Sequence, residues 1–166
     1  MTKLIQISIV LIFLIPFNNS TNNAPPPLVA PVIFSKKEAH CLALNIYHES
    51  RNQSKLGQLA VAAVTLNRTT NSICDAVYKT KIHYKSKKKV AMFSWTITSK
   101  ANKLINQKQY DKIYVLVEQI LRNEVELPIS KAVTLYHAKH VTPKWSRSKQ
   151  VKRITQIGDH VFYQEL

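Results

Sequence analysis

Acidic residues are scarce in this chain: nine Asp and Glu stand against twenty-four Lys and Arg, a formal net charge of +15 over 166 residues. That leaves no acidic cluster to complete a metal site. There is also no His-Glu-x-x-His and no closely spaced cysteine pair, so a zinc centre lacks its ligand set. His137 and His140 do not supply one, because residues three apart on a strand point to opposite faces. Glycine is rarer still, at two residues, and no Gly-x-Ser-x-Gly elbow carries a nucleophilic serine. No metal or other cofactor is expected. Each of the two glycines should instead have a geometric task.

The positive charge calls for a polyanionic partner: nucleic acid, an anionic membrane surface or an acidic cell envelope. No zinc-finger spacing, RNP-like strand or base-reading basic helix accompanies it, so nucleic acid is not the expected partner. Leu4 to Phe17 is an apolar run broken only by Gln6 and Ser8 and preceded by Lys3. It is short for a membrane span and right for the core of a signal sequence. We therefore read residues 1–23 as a signal peptide or signal-anchor, with any membrane association confined to it. Residues 24–34, with Pro25, Pro26, Pro27 and Pro31, form a stiff linker. Residues 35–166 form one domain, expected to act outside the cytoplasm as a monomer. Two cysteines, Cys41 and Cys74, suit export. They are either bridged or two small buried hydrophobes; the bridge is the expectation.

Ser35 and Glu38 have the spacing of a capping box. Behind them Ala39, Leu42, Ala43 and Ile46 recur at helical spacing, and the same stripe reaches Glu49. A second helix over 54–67 is apolar on more than one face. A short helix follows near 75–79, then a basic loop over 82–89, then an amphipathic helix over 111–123. The last third alternates with period two. Val133, Leu135 and His137 read as a strand, and 153–157 and 160–163 as a hairpin about Gly158-Asp159. The fold class is α+β: a mainly helical body with a small carboxyl-terminal antiparallel sheet.

Glu49 is the leading candidate for chemistry. A carboxyl group on an apolar face is held protonated towards neutral pH, as a general acid must be. The alternative is a surface carboxylate in a helical ion pair. Phe93-Ser94-Trp95 and Tyr136-His137 bring aromatic and small polar residues together, either as sugar-stacking surfaces or as core.

The run Cys41-Leu-Ala-Leu-Asn-Ile-Tyr-His-Glu49-Ser-Arg51, followed by Gly57 to Arg68, resembles the SleB/CwlJ-type cell wall hydrolases. So do Cys74 to Tyr78, Phe93-Ser94-Trp95, Tyr136-His137-Ala138, Val141-x-Pro143-x-Trp145 and Ile157-Gly158-x-His160-x-Phe162-Tyr163. The resemblance implies a lysozyme-like catalytic domain acting on peptidoglycan, with Glu49 as catalytic acid. Ser94, Trp95, Tyr136 and His137 are then the expected substrate-lining residues. Met92 stands where the family pattern has Gln. No second carboxylate lies in a comparable motif, Asp75 and Asp159 being the nearest candidates. That favours a lytic transglycosylase over a two-carboxylate hydrolase; a non-catalytic basic wall-binding module is the alternative of a different class.

Overall fold

Ser35 opens the first helix, α1 (Lys36–Ser50), by accepting the Glu38 backbone N–H at 3.2 Å. The expected capping box is only half made. The Glu38 carboxylate turns away to accept the backbone N–H of Ile73 at 2.5 Å, and so caps a different helix. The computed structural model describes residues 34–82, 87–98 and 103–166. The signal segment and all of the linker except Phe34 lie outside the described residues, as do residues 83–86 of the basic loop.

Helix α1 is buried on nearly every side, not on one stripe. Cys41, Leu44, Asn45 and Tyr47 are covered along with Leu42, Ala43 and Ile46. The helices α2 (Lys55–Asn67), α3 (Ile73–Tyr78) and α4 (Gln107–Leu121) pack around it. Cys41 on α1 and Cys74 on α3 are joined by a disulfide, as expected. Helix α4 begins four residues before its apolar pattern does. Asn106 caps it by accepting from Gln109 N, and the Tyr47 hydroxyl accepts the N–H groups of Ile105 and Asn106 at 2.9 and 2.8 Å.

The carboxyl-terminal sheet has the order β3-β5-β4, all antiparallel, with β3 (Val133–Ala138), β4 (Val151–Ile157) and β5 (His160–Glu165). Its inner face meets α2 through Val133 and Phe162 against Ala60 and Val64, all fully buried. A further two-stranded ladder, β1 (Thr80–Ile82) with β2 (Lys89–Ala91), brackets the stretch over 82–89 that was expected as a loop. Its residues are lysine-rich and mostly exposed, so no apolar alternation announced it.

Both glycines make room for one side chain. A Cβ on Gly158 would sit 2.4 Å from Gln53 Oε1, and one on Gly57 would sit 2.9 Å from Gln53 Cβ. Gly158, with φ of +57°, forms the hairpin turn. Gln53 grips that turn by accepting the Asp159 N–H at 3.0 Å and donating to the Asp159 carboxylate at 2.9 Å. The sheet is thereby tied to the loop directly after Glu49.

Candidate active site

Glu49 sits in the last turn of α1, where the helix ends against the inner face of the sheet. The carbonyls at that end are occupied by side chains. Ser50 Oγ donates to Ile46 O at 3.0 Å, and Gln109 Nε2 donates to Arg51 O at 3.1 Å. Tyr136, in mid-β3, reaches across to donate its hydroxyl to Glu49 Oε2 at 2.9 Å. Arg68, just past the end of α2, lies over the rings of Phe93 and Tyr136 at 5.1 and 5.9 Å. Its Nε donates to Thr134 O at 2.5 Å.

Burial pushes the Glu49 carboxyl above its ordinary range; the Tyr136 hydrogen bond and the Arg68 charge pull it back only in part. The carboxyl-terminal end of a helix dipole works in the same direction as burial. Tyr136 is held well above its own ordinary value, chiefly by burial and then by the Glu49 charge. Its hydroxyl stays protonated and keeps donating to Oε2. Oε1 is then the oxygen left to carry an acidic proton.

The four expected substrate-lining residues do not stay together. Tyr136 joins Glu49. Ser94 is exposed at the start of a 3-10 turn, Ser94–Ile97. Trp95 is core rather than a stacking surface, only 7% exposed, with its ring stacked on His48 at 4.4 Å. Its Nε1–H donates to Asn45 Oδ1 at 3.0 Å, and Asn45 Nδ2 donates to Thr65 Oγ1 at 2.8 Å. This buried polar chain fixes α1 against α2 beneath the acid. His137 follows Tyr136 on the strand and so points to the other face, where it bonds the Tyr163 hydroxyl at 2.9 Å.

Arg68 was missed as a site residue. In sequence it closes the Gly57 to Arg68 stretch of the family resemblance but is otherwise one cation among twenty-four; only the fold turns it towards Glu49. Because Tyr136 favours the charged form of Glu49, Tyr136→Phe should raise the Glu49 pKa further. With Glu49 as the acid proposed below, the high-pH limb of the rate profile then moves to higher pH. A limb that stays put or moves down would show that the hydroxyl does not bond the carboxylate in solution.

An α+β domain in which a carboxyl group ends a central helix beside a small antiparallel sheet belongs to the lysozyme-like class. The sequence profile described as Cell Wall Hydrolase matches residues 52–163, and the chain belongs to that family of peptidoglycan-cleaving enzymes. The matched span begins three residues after Glu49. Among solved structures, the catalytic domain of the germination-specific lytic transglycosylase SleB from Bacillus anthracis is similar at 24% identity and a TM-score of 0.57. It covers 80% of this chain and 98% of that one. The catalytic domain of the Bacillus cereus SleB protein is similar at 26% identity and a TM-score of 0.52, covering 80% and 94%. No curated protein matches the chain.

Proposed function

We propose that Glu49 is the catalytic acid and that the protein cleaves the glycosidic bond between N-acetylmuramic acid and N-acetylglucosamine as a lytic transglycosylase. The observation that carries this reading is the company Glu49 keeps: a neutral tyrosine and an arginine, in a half-buried setting that favours the protonated acid. Protonated Glu49 donates to the glycosidic oxygen as the bond breaks. The resulting carboxylate then takes the proton of the muramic acid 6-hydroxyl, which closes a 1,6-anhydro ring. Arg68 and the Tyr136 hydroxyl stabilise the carboxylate between the two steps.

A two-carboxylate hydrolase needs a second acid about 5–10 Å from the first. Most other acids are engaged or exposed away from Glu49, and Glu165 reaches only as far as Arg68, on which its charge acts. Asp159 is bound by Lys139 at 2.6 Å and by Gln53, and Asp75 lies exposed on α3. Glu38 caps α3, and Glu165 accepts from Thr134 Oγ1 at 3.2 Å. The apolar run before the linker supports action outside the cytoplasm, in a bacterial wall or in phage-driven lysis.

Mass spectrometry of the released muropeptides tests the reaction class. Anhydro-muramic ends are expected, and reducing ends throughout would replace transglycosylation by hydrolysis.

A further inference from the structure

The outer face of the carboxyl-terminal sheet carries a second feature that the cleavage chemistry does not use. Alternation along β3 turns Leu135 and His137 away from the face through which Tyr136 meets Glu49. On that outer face lies an open groove of about 780 Å³, lined by Leu135, Lys144, Trp145, Ser148, Gln150 and Glu165 among others. Trp145 is 36% exposed. It is also held in place, with its ring packed edge-on against His137 at 5.6 Å and Tyr163 at 5.3 Å. The His137–Tyr163 hydrogen bond locks those two supports together. The motif residues His137, Trp145 and Tyr163 thus form a buttressed aromatic platform.

The chemistry around the platform is that of a site for an anionic sugar polymer. From Lys139 to Arg153 the chain has six Lys and Arg and no Asp or Glu. Lys144 lines the groove itself, while Ser148, Gln150 and Glu165 offer donors and acceptors for hydroxyl and acetamido groups. A rigid, half-exposed indole stacks on a sugar ring at little entropic cost. The groove also has a direction. Leu135 and Glu165 line a smaller cavity of about 200 Å³ that continues to Arg68, the cation facing Glu49.

We propose that this groove is a distal binding subsite for the glycan strand of peptidoglycan, with Trp145 stacking on a sugar and Lys144 meeting stem-peptide carboxylates. A strand seated at Glu49 passes Arg68, crosses Leu135 on β3 and Glu165 at the end of β5, and ends on Trp145. The subsite holds long polymer and is not needed for short fragments. This inference rests on peptidoglycan being the substrate cleaved at Glu49.

The test uses the full chain with purified peptidoglycan freed of other wall polymers. In a Glu49→Gln background, adding Trp145→Ala should weaken sedimentation with insoluble wall by roughly three- to tenfold. Adding Lys144→Glu, which leaves the aromatic packing intact, should weaken it too and flatten its salt dependence. With Glu49 restored, both variants should cleave short soluble glycan fragments at the parental rate. Unchanged wall binding in the Lys144→Glu variant would overturn the subsite even if Trp145→Ala failed to fold. Loss of short-fragment cleavage by folded Trp145→Ala would also overturn it, by placing Trp145 in the cleavage site. A parent chain that neither binds nor cleaves purified peptidoglycan would instead sink the reading of its function, before any variant is compared.

Discussion

Glu49→Gln lowers peptidoglycan cleavage by about 10²–10⁴-fold, the contribution of a positioned general acid, and leaves the fold intact. Glutamine keeps the shape, and its amide oxygen still accepts the Tyr136 hydroxyl that now bonds Oε2 at 2.9 Å. What is lost is the transferable proton. The same substitution has a stability signature whose sign follows from the raised pKa. Burial makes the folded protein hold the Glu49 proton more tightly than the unfolded chain does. As pH rises from the ordinary carboxyl range, about 4, through the raised folded value, the unfolded chain ionises first and the folded state loses stability. Glutamine never ionises and escapes that loss. The variant should therefore melt higher than the parent at neutral pH and match it below about pH 4. In the parent, turnover falls as pH rises through the same raised value, because the acid form disappears. A variant that melts lower than the parent at neutral pH would contradict this. It would mean that Glu49 is charged and serves chiefly as a partner for Arg68.

What could be read before the fold was known depended on whether a residue's partner was implied by local spacing. Glu49 was legible because the stripe through Leu42 and Ile46 reaches it. The Gly158-Asp159 hairpin was legible because a two-residue turn needs glycine at that place. Tyr136 could be assigned to a strand by alternation, but not to Glu49, 87 residues away. Trp95 was ambiguous in principle. Its aromatic setting suits a sugar platform, and only the buried amide of Asn45, placed between Trp95 and Thr65, shows it to be core. Gln53 had no signal at all, since its importance comes from the two glycines that open space around it. His137 adjoined Tyr136 in sequence and was grouped with it. The pleat of β3 separates them, one towards the acid and one towards Trp145.

Opening the Cys41–Cys74 bridge should be the most damaging change to stability that leaves the site's own residues untouched. The bridge spans 33 positions. Closing a loop of that size restricts the unfolded chain by about 3–4 kcal/mol on a chain-entropy estimate. For a domain whose net stability is about 5–15 kcal/mol, that is a large share. The native side matters as well. Cys41 lies on α1 two turns before Glu49, and Cys74 lies on α3, whose first turn is already held to α1 by the Glu38 carboxylate. Bridge and cap together fix α3 against the helix that presents the acid. The paired substitution Cys41→Ser with Cys74→Ser should lower the melting temperature by roughly 10 °C. Because Tyr136 and Arg68 reach Glu49 from β3 and α2, the double variant should keep its pH–rate profile at temperatures where it remains folded. Reductant should reproduce the stability loss in the parent and do nothing to the variant. A parent whose melting temperature ignores reductant would show that the bridge is not formed in solution. A pH profile that moves with the bridge would show that α3 helps to set the Glu49 environment.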